Sequence, residues 1–465
     1  MDFNNVKYVY FLGIGGIGMS ALARYFNHVG YEVAGYDRTA TSLTAQLIEE
    51  GIDIHFVEDV NLIPSPFREN TAELMVIYTP AVPKNNTEVR YFRDQGIKIW
   101  KRAEVLGRLS SISESIAVAG THGKTSVCTM ITTIFKYSSL NCTAFLGGIS
   151  KDYHSNLVLS DDADYTVVEA DEYDRSFLHL KPSIAVITAI DADHLDIYGN
   201  REELKKSFLD FIYRIKPGGY LIMKYGLNID IPESLNIHVR TYGFDEKSDY
   251  RALNISSANS KQKFNLEFKA KKYKKLEIGL PGKVNIENAL AAIAVADTCG
   301  IGEEAIRKAV KAFSGVKRRF DFQISNENIV FIDDYAHHPE ELKAFISSVR
   351  ELYPGREIKG IFQPHLFSRT RDFASEFAES LDLLDSLILL DIYPAREEPL
   401  PGITSRIIFD KVTLEDKTLS NIEELMDILK KSKIDVLLTM GAGDIDRMVH
   451  PVNHLLKNRD TKKCV

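Results

Sequence analysis

Short apolar runs alternate along the chain with stretches whose apolar residues recur at helical spacing. Residues 8–12 form such a run, and it ends in glycines. From 19 to 29, Leu22, Tyr25, Phe26 and Val29 fall on one face of a helix. Residues 31–35 read as a second strand and 74–78 as another, closed by Thr79 and Pro80. Strand, helix, strand in this order predicts a parallel sheet. The pattern restarts at Ser115, with a strand over 116–119, a turn over 120–126 and a helix over 127–135. Residues 165–168 and 185–190 are two more buried strands, each followed by a cluster of acids.

The lysine-rich stretch 261–275 alternates through Phe264, Leu266 and Phe268. It predicts antiparallel strands at a sheet edge, where lysines discourage stray pairing. Residues 288–298 predict an alanine-rich helix. After Phe313-Ser314-Gly315 a third unit begins, with strands over 329–332, 358–362, 386–390 and 436–440 and helical stretches between them. The expected fold is α/β with three domains, at 1–113, 114–314 and 315–465. The middle one is a parallel sheet with a small antiparallel edge.

Composition narrows the function. The chain has 465 residues, 45% hydrophobic and 26% charged, as a globular protein has. Fifty-seven lysines and arginines against 65 acids leave a net charge of −8, which disfavours a general nucleic-acid binder. No apolar run is long enough to span a bilayer, and the polar start, Met1 to Lys7, lacks a signal-peptide pattern. The cysteines, Cys128, Cys142, Cys299 and Cys464, are scattered, which points to a reducing, cytoplasmic setting rather than a disulfide scaffold or a zinc site.

Four constellations carry chemistry. Gly13-Ile14-Gly15-Gly16-Ile17-Gly18 fits G-x-G-x-x-G between a strand and a helix, with Asp37 at the end of the next strand. The helix N-terminus offers free N–H groups to a diphosphate. An NAD-dependent oxidoreductase would look the same here. Second, Gly120-Thr121-His122-Gly123-Lys124-Thr125-Ser126 again lies between strand and helix. Its backbone would cradle the phosphates of a nucleotide triphosphate, Lys124 would neutralise them, and Thr125 or Ser126 would reach Mg²⁺. The general loop pattern is not fully met, because Val118 stands where the first glycine would be.

Third, Glu169, Asp171, Glu172 and Asp174 follow one strand, and Asp191, Asp193, His194 and Asp196 follow the next. Acids at the carboxyl ends of parallel strands beside a phosphate loop suit Mg²⁺. Some of them equally suit helix capping, and a lone histidine is more often structural. Fourth, Asn285 and Asn288 precede the alanine-rich helix, and Lys317, Arg318 and Arg319 supply cations. Residues 333–339 and 362–369 place Asp334, Tyr335, His337, His365 and Arg369 after strands, as a second substrate's pocket would.

In this order the motifs closely resemble the Mur ligases over nearly the whole chain: GIGGIGMS, GTHGKTS, EADEYDRSFLHLKP, DADHLDIY, NIENALAA, DDYAHHP, FQPHLFSRT, DIYPAREEPLPG and GAGDI. The resemblance implies a Rossmann-like N-terminal domain, a central domain of the P-loop ATPase kind and a Rossmann-like C-terminal domain. Within that family it implies ATP-dependent joining of L-alanine to the carboxylate of UDP-N-acetylmuramate through an acyl phosphate, in cell-wall precursor synthesis. It turns the first glycine motif, with Gly13, Gly15, Gly16, Gly18 and Asp37, into a UDP-diphosphate site. It gives Gly120 to Ser126 to ATP, and Thr125, Glu169 and His194 to Mg²⁺. It assigns Asn285 and Asn288 to adenine, and Arg319 and Asp334 to phosphate or ribose. Tyr335, His337, His365 and Arg369 then line the amino-acid side. No membrane or nucleic-acid partner is implied, and the chain would act as a monomer or homodimer. A ligase that recycles murein tripeptide onto the same nucleotide sugar shares these loops and is the nearest alternative. Here Ser176, Phe177 and Leu178 follow the acidic motif directly, which favours alanine.

Overall fold

The computed structural model describes residues 5–191, 198, 200–258, 261–269, 271–395 and 397–463. Among these, the strands form three sheets. The first holds β1 (Tyr8–Leu12), β2 (Glu32–Tyr36), β3 (Asp53–His55), β4 (Leu74–Tyr78) and β5 (Ile99–Lys101), in the order β3-β2-β1-β4-β5. Every pairing in it is parallel. All five residues of β1 are buried, as in a central strand covered on both faces.

The second sheet holds β6 (Glu114–Ala119), β7 (Cys142–Phe145), β8 (Leu157–Val158), β9 (Tyr165–Glu169), β10 (Ile184–Ile187), β11 (Tyr220–Lys224), β12 (His238–Gly243), β13 (Tyr250–Ala258), β14 (Lys261–Phe268) and β15 (Lys271–Ile278). Its order is β15-β14-β13-β12-β11-β10-β6-β9-β7-β8, with a parallel centre and an antiparallel edge. The third holds β16 (Asp321–Ser325), β17 (Val330–Asp334), β18 (Ile358–Phe362), β19 (Ser386–Leu390), β20 (Lys417–Ser420) and β21 (Val436–Met440), ordered β16-β17-β21-β18-β19-β20. Only β16 runs antiparallel there.

The chain packs as two compact units. One comprises residues 1–253, 265–276 and 288–312, and the other 254–264, 277–287 and 313–465. The α/β class read from the sequence is the class that forms. Several boundaries differ from expectation by a few residues, and three of them bear on the site. β10 stops at Ile187, not at residue 190. The alanine-rich helix spans Lys283–Thr298, so Asn285 and Asn288 sit inside its first turns rather than ahead of it. The carbonyl of Gly282 accepts from Asn285 N at 3.0 Å and Ile286 N at 3.1 Å, so the helical turn is already formed there, and Asn285 Nδ2 donates to the carbonyl of Pro281 at 3.0 Å. The helix after residue 120 starts at Lys124, for the reason given below.

In the first unit an aromatic cluster fixes the segment that leaves β9. Phe177 stacks on Phe211 with centroids 5.0 Å apart and meets Phe208 edge-on at 5.4 Å. All three are fully buried, a large apolar anchor for a turn crowded with acids. The sequence places those acids; this packing holds them at the end of the sheet.

Candidate active site

β6 delivers the chain into the loop at Gly120. Gly120 (φ 133°) and Gly123 (φ 82°) are in the left-handed region, where glycine alone is at ease. Gly123 caps the helix Lys124–Lys136 from that conformation, so Lys124 and Thr125 lie in the first helical turn. Their turn presents N–H groups that the helix itself leaves unpaired. Thr188 Oγ1 donates to the carbonyl of His122, and Thr121 N donates to the carbonyl of Ala189 at 3.1 Å. His122 Nε2 lies 3.4 Å from Asp191. A Cβ on Gly123 would approach Asn288 Oδ1 to 2.9 Å, so Asn288 borders the loop.

Both working side chains of the loop meet acids from the end of β9. Thr125 Oγ1 donates to Glu169 Oε2 at 2.8 Å. Lys124 Nζ donates to Glu172 Oε1 at 2.9 Å and to the carbonyl of Gly120 at 2.7 Å. Burial alone would pull the Lys124 ammonium below the ordinary lysine range. Glu172, then Asp171 and Glu169, outweigh it and hold the ammonium above the ordinary lysine range. Burial lifts the Glu172 carboxyl to about 7, against the pull of Lys124.

The first glycine motif is a tight turn: Gly13 N donates to the carbonyl of Tyr36 at 2.8 Å. Asp37 Oδ2 accepts from Gly15 N at 2.8 Å and Oδ1 from Thr39 N at 3.0 Å. The structure therefore gives Asp37 the job of shaping the loop. Gly15, Gly16 and Gly18 run into the helix Ile17–His28. The Arg102 guanidinium lies over Gly18, filling the space a side chain there would need. It also reaches Asp171 at 3.5 Å.

In the second unit Asp334 ends β17 and accepts from Phe320 N at 2.6 Å and Ala336 N at 2.7 Å. Burial raises its carboxyl to about 7, with Arg319 opposing. Arg318 (φ 63°) and Phe320 (φ 48°) are left-handed on either side of Arg319, and strain of this kind gathers at functional loops. The Arg319 guanidinium stacks on Tyr335 at 4.8 Å and lies 3.9 Å from Glu341. His337 Nδ1 is 3.1 Å from Glu341 Oε2 and 3.0 Å from the carbonyl of Tyr335. The rings of His337 and His365 meet edge-on at 5.8 Å, and His365 stacks on Tyr393 at 5.9 Å. Tyr335, His337 and His365 thus form one cluster, with Arg369 on the helix Phe367–Asp372 that follows.

His194, expected to hold metal, lies outside the described residues. Thr125 and Glu169 remain as a hydroxyl and a carboxylate side by side. That is a hard-oxygen pair of the kind Mg²⁺ accepts, since Mg²⁺ takes few protein ligands and fills its shell with water and phosphate. Sequence reasoning gave no separate role to Glu172, Arg102 or Glu341. Glu341 had a signal, because its spacing from His338 is that of a capping box, which the structure contains. Arg102 had none, because its role depends on Gly18, 84 positions earlier in the chain.

A mononucleotide-type glycine turn, a triphosphate-type loop with acids at its mouth, and a third α/β sheet with a histidine cluster together define an ATP-using ligase of modular build. The chain belongs to the Mur ligase family. Family models match it in three consecutive pieces: the Mur ligase family catalytic domain over residues 8–113, the Mur ligase middle domain over 118–296, and the Mur ligase glutamate ligase domain over 318–443. It is 51% identical to a UDP-N-acetylmuramate–L-alanine ligase of Parabacteroides distasonis, covering 98% of each chain. It is 49% identical to the protein of that name from Porphyromonas gingivalis, over 97% of this chain and 99% of that one. The crystal structure of a UDP-N-acetylmuramate–alanine ligase from Thermotoga maritima superposes with a TM-score of 0.81, at 28% identity and 98% coverage of this chain and 99% of the other. A murein peptide ligase from Psychrobacter arcticus has the same fold, with a TM-score of 0.69 at 23% identity over 97% of this chain and 98% of that one.

Proposed function

We infer that this chain joins L-alanine to the carboxylate of UDP-N-acetylmuramate at the expense of ATP, releasing ADP and phosphate, in peptidoglycan precursor synthesis. The pairing of Lys124 and Thr125 with acids at the end of β9 carries this reading, together with near-complete coverage by relatives of that named activity. The tripeptide-recycling alternative is not favoured, because the likeness to a murein peptide ligase is one of fold. An NAD-dependent oxidoreductase is disfavoured, since it leaves Lys124 and Glu169 without work.

A carboxylate does not react with an amine in water, because oxide would have to leave. Phosphorylation by ATP makes an acyl phosphate, whose leaving group is good. Lys124 neutralises charge on the transferring phosphoryl group. Thr125, Glu169 and His194 would hold Mg²⁺, which supplies further charge neutralisation when bound. Gly120, Thr121, His122, Gly123 and Ser126 cradle the phosphates, and Asn285 and Asn288 meet the adenine. Arg319 and Asp334 hold phosphate or ribose.

The amine of L-alanine must arrive neutral to attack the acyl carbon. His337, which contacts Glu341, or His365 would accept its proton, a role histidine's chemistry suits. Tyr335 and Arg369 line that side. Gly13, Gly15, Gly16 and Gly18 hold the UDP diphosphate, with Asp37 shaping their loop. Three domains, 1–113, 114–314 and 315–465, divide these tasks, and each sheet falls within one of those segments. The protein works in the cytoplasm; among the described residues no helix is long and apolar enough to cross a membrane.

The test is phosphate release from ATP, Mg²⁺ and UDP-N-acetylmuramate with each amino acid or murein tripeptide in turn. Alanine should give turnover and tripeptide should not. Turnover with tripeptide alone would reassign the enzyme.

A further inference from the structure

We propose that Glu172 is a positioning residue that occupies Lys124 in place of the γ-phosphate, so that ATP must displace it to bind. This rests on the ATP reading of the loop. Lys124 Nζ is drawn back between Glu172 Oε1 at 2.9 Å and the Gly120 carbonyl at 2.7 Å. That is the loop's own backbone on one side and a carboxylate on the other. The Glu172 side chain has no exposed surface, and Lys124 keeps only 13%. A buried ion pair of this geometry is a bound state in its own right, and an incoming anion has to compete with it.

The main chain at Glu172 is pinned, so its side chain starts from a fixed point. Tyr198, itself buried, donates its hydroxyl proton to the Glu172 carbonyl at 2.5 Å. The stacked Phe177 and Phe211 anchor the turn that follows. Lys124 is the mobile partner, on a flexible stem with its ammonium at the tip. Glu172 differs from Glu169 in this respect. Glu169 meets the threonine and suits a metal, whereas Glu172 meets the lysine and mimics an anionic phosphate oxygen. A triphosphate brings charge enough to win the lysine, while a diphosphate, lacking the γ group, wins less. Glu172 would therefore set how strongly the empty site prefers ATP over ADP.

The experiment is calorimetric binding of a non-hydrolysable ATP analogue and of ADP, with Mg²⁺, to the full-length protein and to Glu172→Gln. Glutamine keeps size and hydrogen bonding but not charge. The analogue should bind about tenfold tighter to Glu172→Gln, ADP should change about twofold or less, and KM for ATP should fall more than kcat changes. Glu172→Asp, which keeps the charge, should stay near the parent value. Tyr198→Phe, which frees the turn, should show a smaller gain and serves if Glu172→Gln does not fold. Unchanged or weaker analogue binding in a folded Glu172→Gln would overturn the proposal while leaving the enzyme's function intact. No analogue binding by the parent protein would instead defeat the ATP reading of the loop.

Discussion

Thr125 Oγ1 and Glu169 Oε2 are joined by a hydrogen bond of 2.8 Å, and the backbone of Gly147 lies directly behind that carboxylate. A Cβ at Gly147 would collide with the carboxylate group of Glu169. Gly147→Ala should therefore leave the fold intact, because a side-chain tip can yield, yet move Glu169 off Thr125. We expect kcat/KM to fall about 10–100-fold, in keeping with the sensitivity of rate to small misplacements. The melting temperature should change little. Full activity in Gly147→Ala would show that the position of Glu169 does not matter to the reaction.

In the proposed function Lys124 is the cation of the phosphate loop. Lys124→Met keeps the stem and removes the charge. It should lower kcat by at least about 10²-fold, the usual cost of losing one group aimed at developing charge. It also leaves Glu172 buried without its partner, so stability has to be measured alongside. A loss of activity that tracks unfolding would not support the assignment; a loss at unchanged melting temperature would.

Gly18 and Arg102 make a prediction specific to the nucleotide sugar. The Arg102 guanidinium fills the space beside Gly18, and it also reaches Asp171 at 3.5 Å. Gly18→Ala pushes it away beside the first glycine loop, and reaches the ATP loop only indirectly, through Asp171. KM for UDP-N-acetylmuramate should rise about tenfold, because the displaced guanidinium crowds the glycine loop read as the diphosphate site, while KM for ATP should change less. An equal rise in both constants would point to general disruption of the first sheet.

What the sequence revealed follows from how local each signal is. β1, β4, β18, β19 and β21 match the predicted runs residue for residue, because a fully buried parallel strand is a continuous apolar run with a sharp end. The three-residue strands β3 and β5 were not legible, since so short a run has no period to detect. The helix at Lys124 begins inside what reads as a turn, because the left-handed Gly123 can cap a helix that composition alone would start later. Thr125 and Glu169, read from separate motifs, do meet in the structure, but other pairings could not be read from the sequence. Glu172 with Lys124 and Arg102 with Gly18 are pairings across 48 and 84 positions, set by packing rather than by pattern.

Glu88 yields a prediction about stability rather than catalysis. It lies in the first turn of the helix Thr87–Asp94, with no exposed side-chain surface. Tyr10 donates to its Oε2 at 2.7 Å, and His55 Nε2 is 3.4 Å from its Oε1. Burial raises its carboxyl from 4.5 to about 7. The sign follows by linkage. Below pH 4.5 the carboxyl is protonated in folded and unfolded chains alike, and Glu88 costs nothing. Between 4.5 and about 7 the unfolded chain ionises first, so stability falls as pH rises. Above about 7 the full cost is present, on the order of 3–4 kcal/mol at most for a shift of this size. Glu88→Gln can still accept from Tyr10 but does not titrate. Its melting temperature should gain on the parent protein's as pH goes from about 5 to about 8. A gap between the two that stays constant over that range would mean that Glu88 is ionised in the folded protein throughout.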